Sequence, residues 1–234
     1  TPAGQELYEF IKPFFDNLHP MADKLRGGVA QAIRIGASEI VLRDHLPALI
    51  EKIRERFPRL RFSLREAYQP QLEAWLEQQE IDLAVTLLHQ KPSKGIDSLA
   101  LLKMPLILLV AKNNGLKSAA ELWNRDRIDE PLISLPANET ICKSFQSDLA
   151  KRKVDWFPSC DVNSLNLIET YVANGYGIGL SIQIPNKKLP SGIRALPLPG
   201  FEPVTLGVLW RGKPSPLTQA FLDELKLRAR MFMT

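Results

Sequence analysis

Two hydrophobic periods take turns along the chain. Ile33-Arg34-Ile35 alternates as a short strand does, and Gly36-Ala37 reads as a small-residue bend into Ser38. Apolar residues then recur at Leu42, Leu46, Leu49, Ile50, Ile53 and Phe57, a helical stripe with Ser38 at the N-cap position. Pro47 disfavours helical backbone at Leu46, so the helix is expected to kink or split there. Leu60, Phe62 and Leu64 alternate with Arg59, Arg61, Ser63 and Arg65, which predicts a half-buried strand. Gln69-Pro70 opens a helix carrying Leu72, Trp75 and Leu76. Ile81 to Leu87 is almost continuously apolar, as in a parallel strand covered on both faces. Such alternation implies parallel pairing through right-handed crossovers.

Before this series, residues 5–25 carry a helical stripe of Leu7, Phe10, Ile11, Phe14, Leu18 and Met21. Pro13 and Pro20 are expected to kink or break it, and Gly27-Gly28 to stop it. After it, residues 96–112 hold strand material divided by Pro105, with no helix between. A second β/α series follows: a short helix at Ala119 to Trp123, a strand at Pro131 to Leu135 and a helix from Thr140 to Val154. Next come a strand at Ser159 to Val162 and a helix capped by Ser164, with a stripe of Leu167, Ile168, Tyr171 and Val172. Asn174-Gly175 closes that helix. Strands are predicted at 177–184, 193–196 and 204–210, and Ser215-Pro216 starts a closing helix. The two uninterrupted strands near 105–112 and 204–210 suggest paired crossings between two α/β lobes. The ligand cleft would then lie beyond the carboxyl ends of their strands.

Composition narrows the function classes. The 234 residues are 45% hydrophobic and 24% charged, enough for a real core in a water-soluble protein. No apolar run is long enough to span a bilayer, and TPAGQELYEF lacks the layout of a signal peptide. Two cysteines, Cys142 and Cys160, are too few for a disulfide framework or a four-ligand zinc site, so a cytoplasmic setting is expected. The net charge of +4 is spread among acids, which argues against nucleic-acid binding by this chain itself.

No catalytic or metal-ligating constellation emerges, and nothing calls for a cofactor. Gly175-Tyr176-Gly177-Ile178-Gly179 has Leu180 where a dinucleotide fingerprint needs its third glycine, and it runs from helix to strand, the wrong order. His19, His45 and His89 lack metal-ligand spacing. Cys142 near a helix start would be reactive only with a lowered pKa; a small semi-buried apolar role is the ordinary reading. What remains is a set of strand-to-helix turns: Ser38-Glu39, Ala67-Tyr68-Gln69 and Thr86-Leu87 in the first series, Leu135 to Thr140 and Asn163-Ser164 in the second. Ser38, Thr140 and Ser164 suit N-caps. Free N–H groups at such turns also receive anions. Five turns converging on one cleft would suit a small polar ligand.

These residues carry a resemblance. IRIGAS at 33–38, Leu46-Pro47, Arg56-Phe57-Pro58, Glu80 to Ala84, Val172 to Gly179 and Leu209-Trp210-Arg211 stand in an order and spacing that resemble LysR-type transcriptional regulators beyond their DNA-binding domain. TPAG at Thr1 to Gly4 looks like the start of the linker helix, with the winged helix-turn-helix missing. The resemblance implies two Rossmann-like α/β lobes joined by two crossing strands, similar to type II periplasmic binding proteins. It places the linker helix at 1–32, lobe I at 33–108 and 209–234, and lobe II at 109–208. It implies a small polar or acidic effector in the inter-lobe cleft, no enzymatic activity, a homodimer or homotetramer, and promoter DNA bound only through the missing domain. Effector contacts carried over by the resemblance fall on Ser38, Tyr68, Thr86, Asn138, Thr140, Asn163 and Ser164, with Glu39 beside Ser38. The exposed face of the helix after Ser38, with Arg43, Glu51, Arg54 and Glu55, is the expected subunit contact. A stand-alone solute-binding protein of the same fold is the competing reading; it would be a monomer.

Overall fold

The alternating side chains of Ile33 to Ala37 divide the first sheet into two faces. The computed structural model describes residues 1–25, 31–88 and 91–232. In β1 (Ala32–Ala37), Ile33, Ile35 and Ala37 enter one hydrophobic cluster with Leu46, Leu49, Ile50 and Ile53 of α2 (Leu46–Arg56) and Leu217 and Phe221 of α7 (Pro216–Met231). On the opposite face, α3 (Gln69–Glu77) supplies Leu72 and Leu76, which cluster with Ile81, Ala84, Ile96 and Leu209. Each fully buried leucine or isoleucine contributes roughly 1.5–3 kcal/mol relative to exposure. The sheet thus has helices on both sides. Its strand order is β2 (Arg61–Glu66), β1, β3 (Leu83–Leu88), β10 (Val204–Arg211) and β4 (Ile96–Met104), with β1 parallel to both β2 and β3.

The second sheet has the order β7 (Pro158–Asp161), β6 (Leu132–Ser134), β8 (Ile178–Ile182), β5 (Leu106–Ala111), β9 (Ile193–Pro197). β6 runs parallel to β7 and β8, whereas β5 is antiparallel to β8 and β9. Both sheets belong to α/β units, Thr1–Leu102 with Leu206–Thr234 and Lys103–Thr205, and the chain passes between them twice. The strand beside β10 in the first sheet is β4, not the 106–111 segment expected from sequence; Pro105 ends β4 and releases β5 to the second sheet. In the second unit, α4 (Ala120–Trp123), α5 (Thr140–Lys151) and α6 (Leu165–Ala173) flank the strands. Phe145 of α5 stacks on Phe201 at 5.5 Å between ring centres; Trp156 stands edge-on to Phe145 and to Trp123, and Trp123 lies tilted against Phe201. Trp156 donates its indole N–H to Glu130 O at 2.8 Å.

Several expectations change on contact with packing. The split at Leu46-Pro47 is present: a π-helical turn, Val41–His45, precedes α2, and Pro47 sits in its first turn, where no N–H is needed. The helix α1 (Pro2–Leu25) is continuous through Pro13 and Pro20, so neither proline breaks it, and Lys12 pairs with Glu80 at 3.7 Å. Of its expected stripe, Leu7, Phe10 and Phe14 are exposed. Gly27-Gly28 lie outside the described residues. Phe62 and Leu64 are 38% and 39% exposed, because β2 is the edge strand and this part of it is left uncovered. In α6 the buried stripe is Leu165, Ile168, Glu169 and Val172; Leu167 and Tyr171 face outward, and Tyr171 rests on Tyr176 at 5.3 Å.

Gly36 is not a bend. It lies within β1, and a Cβ there would collide with Leu72 Cδ2 and stand 2.9 Å from Ile81 Cδ1. Both neighbours are buried. Gly36→Ala is therefore expected to destabilise the protein by about 1–3 kcal/mol through overpacking, read as a lowered midpoint in chemical denaturation with an unchanged slope.

Candidate functional site

Parallel pairing brings the first group of turns together. Ala37, the last residue of β1, registers with Glu66 of β2 and Val85 of β3. Ser38, Ala67 and Thr86 are the next residues, so they share the carboxyl edge of adjacent strands, spaced about 4.8 Å apart per strand step. The Ala67 amide donates to Ala37 O at 3.1 Å and ties two of these turns. Ser38 is half-buried and its carbonyl accepts from Leu42 N at 3.1 Å, which begins the helical turn. Tyr68 is the N-cap residue of α3 with extended backbone, and its carbonyl accepts from Leu72 N at 3.0 Å. Thr86 is buried inside β3, not in the turn after it, because the strand continues to Leu88. Glu39 pairs with Arg43, which also reaches Asp44 at 2.7 Å, so its charge is already compensated.

The second group forms the same way. Ser134 of β6 registers with Asp161 of β7, and Ile133 with Gly179 of β8. The turns after β6 and β7 therefore share one sheet edge, and Val162 N donates to Ser134 O at 2.9 Å across it. Asn138 and Asn163 are exposed on these turns. Ser164 caps α6, its hydroxyl accepting from Leu167 N at 3.3 Å. Thr140 is buried at the first position of α5; the N-cap is Glu139. The residue order at this helix start is thus shifted by one from the sequence expectation, because Glu139 takes extended backbone and Thr140 is already helical.

Four buried polar residues at the same sheet edges were not among the expected effector contacts, although Gln69 and Glu139 lie in the turns singled out from sequence: Gln69, Ser134, Glu139 and Ser181. Gln69 donates to Glu73 at 2.6 Å, and Glu73 in turn accepts from Ser93 Oγ at 2.9 Å, which fixes the start of α3. Ser134 donates to Leu135 O at 2.6 Å and lies 3.7 Å from Cys142 Sγ. The available signal was their position one or two residues from a strand end, inside otherwise apolar runs. Among the described residues no cluster of His, Cys, Asp and Glu suits a metal ion, and no helix is long and apolar enough to cross a membrane.

The comparisons with known proteins fall into place on this geometry. A family model described as the LysR substrate binding domain matches residues 26–230. The chain belongs to that family. Its fold is the type II periplasmic-binding-protein fold of LysR effector-binding domains. Among curated proteins it is 25% identical over 221 residues to the hydrogen peroxide-inducible genes activator of Dickeya chrysanthemi, covering 92% of this chain and 72% of that protein. Two solved structures share the fold at low identity. The Synechocystis PCC6803 CcmR regulatory domain in complex with 2-PG has a TM-score of 0.72 and 20% identity, over 85% of this chain and 97% of that one. The BenM effector binding domain with its effector benzoate has a TM-score of 0.70 and 19% identity, over 86% and 92%. The family is one of transcriptional regulators rather than enzymes.

Likeness to a hydrogen peroxide-inducible genes activator directs attention to the thiols of this LysR domain. Cys142 is buried in the first turn of α5, and burial pushes its thiol pKa up; the Glu139 carboxyl adds to the rise and the Ser134 hydroxyl opposes it. The helix start does not create a thiolate here. Cys160, on edge strand β7, is only half-buried. Cys142 is expected to react with a thiol-specific reagent at least about tenfold more slowly than Cys160 in the folded protein, since reactivity follows thiolate and access. Mass-spectrometric labelling kinetics on each cysteine measure this.

Proposed function

We propose that this chain is the effector-sensing and self-associating part of a LysR-type transcription factor. A small polar or acidic molecule binds at the carboxyl ends of the parallel strands, and promoter DNA is read by a separate winged helix-turn-helix domain. The observation that carries this is the gathering of Ser38, Tyr68 and Thr86 on one sheet edge and of Asn138, Thr140, Asn163 and Ser164 on the other, in a LysR substrate binding domain. Structures of the same fold are seen with benzoate and with 2-PG. No arginine or lysine stands on these turns, so a carboxylate would be held by N–H groups and hydroxyls. Binding changes the balance between states of the regulator by its differential affinity for them, and so alters how the DNA-reading domains are presented. The setting is cytoplasmic and the role non-catalytic.

A thermal-shift screen of small carboxylic and amino acids identifies the ligand class. Ser38→Ala is expected to weaken the best-bound compound by about 1–3 kcal/mol, the loss of a hydrogen bond to a charged group, while leaving the melting temperature of the free protein nearly unchanged. Calorimetry showing equal affinity would reduce Ser38 to a turn residue.

Self-association has a physical basis on the first sheet's free edge. Phe62 and Leu64 are exposed on β2, and the Arg54 guanidinium of α2 lies over the Phe62 ring at 5.4 Å. Exposed edge strands with apolar side chains invite pairing. We place the subunit contact here, with the outward face of α2 bearing Arg43, Glu51, Arg54 and Glu55. A Phe62→Asp/Leu64→Asp variant is expected to shift the sedimentation profile from dimer or tetramer toward monomer. A wild-type chain that sediments as a monomer at high micromolar concentration would favour the stand-alone solute-binding reading.

A further inference from the structure

The connection that leaves the carboxyl end of β8 brings a cation to the second unit's site edge. β6, β7 and β8 run parallel, so their carboxyl ends share that edge with the turn Asn163-Ser164. Gln183 N donates to Pro105 O at 2.8 Å as the chain leaves β8. Asn186 then takes left-handed backbone (φ 60°), and Lys187 N donates to Ile184 O at 3.3 Å, closing a turn. The turn delivers Lys187 to the start of α6. Its ammonium pairs with Glu169 and donates to Asn166 Oδ1 at 3.4 Å. Asn166 is the second residue of α6, two positions after the capping Ser164. The Lys187 charge therefore stands beside the first turn of α6, whose own entry turn, Asn163-Ser164, holds no lysine or arginine.

Glu169 is buried, and the Lys187 side chain is 19% exposed. An ion pair withdrawn from water is often no more stabilising than an apolar pair of the same size. What this pair adds is an ammonium fixed in place. An ammonium has three N–H donors. Glu169 and Asn166 take two, and the third meets no acceptor among the described residues. Held by two acceptors, the lysine loses little further side-chain freedom when a ligand arrives. A carboxylate is a strong acceptor for an ammonium N–H, because the bond is charge-assisted on both sides. The adjoining start of α6 favours the same sign, and a ligand cation is disfavoured by both. We propose that Lys187 donates its remaining N–H to a carboxylate of the effector, and that Glu169 is the positioning residue that aims it. The inference rests on the effector-sensing reading above and narrows it to carboxylate ligands anchored on the second unit.

The test titrates benzoate and its neutral counterpart benzamide into the whole chain, with acetate as the smallest carboxylate. Wild type is expected to bind benzoate about tenfold more tightly than benzamide, the worth of one hydrogen bond between charged groups. The NMR signal of the Lys187 methylene beside its nitrogen is expected to shift with benzoate and acetate and to stay in place with benzamide, a readout that needs no variant. Removing the lysine alone would strand a buried carboxylate, so both partners are replaced, as Lys187→Met/Glu169→Leu. That variant is expected to melt near wild type and to bind benzoate no more tightly than benzamide. Glu169→Gln keeps the ammonium with an acceptor beside it and is expected to hold the preference for benzoate. A pair that serves only the fold predicts otherwise: Glu169→Gln would lose as much as the double variant, and that result overturns the proposal. Equal wild-type affinity for the two compounds, a double variant that keeps the preference, or a Lys187 signal that neither acid moves overturns it as well. A screening compound that shifts the Ser164 and Leu167 amides but not Lys187 would leave the sensing role intact and remove this one. The absence of any stabilising small molecule would remove both.

Discussion

The pairing of Arg34 with Asp82 sets the register on which the first unit's site depends. The Asp82 carboxylate accepts from the Arg34 backbone N–H at 2.7 Å and from its guanidinium at 3.2 and 2.8 Å, while Asp82 N donates to Arg34 O at 2.8 Å. Two neighbouring parallel strands are thereby locked at their entering ends. A slip by one residue would turn Ile33, Ile35 and Ala37 out of their cluster and drive them toward Leu72 and Ile81. The same slip would separate Ser38 from Thr86. Register, core and candidate site are one constraint, and the missing side chain of Gly36 is what lets α3 lie close over the middle of it.

The second unit repeats the scheme with different means. Its parallel trio β7, β6, β8 carries the turns on one edge, and antiparallel β5 and β9 complete the sheet where connections double back. Buried polar side chains collect at the carboxyl edge: Ser134, Glu139, Thr140 and Ser181. Burying polar groups costs stability unless they are satisfied. Their concentration at the ends of strands sets this edge apart from the apolar interior of the same sheet.

The two cysteines show why likeness and mechanism are separate questions. Similarity to a hydrogen peroxide-inducible genes activator concerns the whole domain. The thiol at the α5 start is buried and its pKa raised, so the helix end that would have favoured a thiolate is outweighed by desolvation. Glu139 illustrates the same contest with the same winner. In both residues burial raises the pKa that a helix start would lower.

By itself the sequence determined the order of elements, since hydrophobic period, caps and proline positions are local properties. The split before Pro47, the division at Pro105, the capping by Ser164 and Ser215 and the closure at Gly175 were all legible in it. The turns that carry the candidate residues were legible too, because strand ends next to helix starts have a recognisable composition. Only the tertiary structure decided which strands are neighbours, that β4 rather than β5 lies beside β10, and that Phe62 and Leu64 remain uncovered. It also decided that Gly36 serves packing rather than bending, and that Glu139 rather than Thr140 stands at the cap of α5. These depend on side chains distant in sequence meeting in space, and no period or spacing along the chain records their contact or the desolvation it brings.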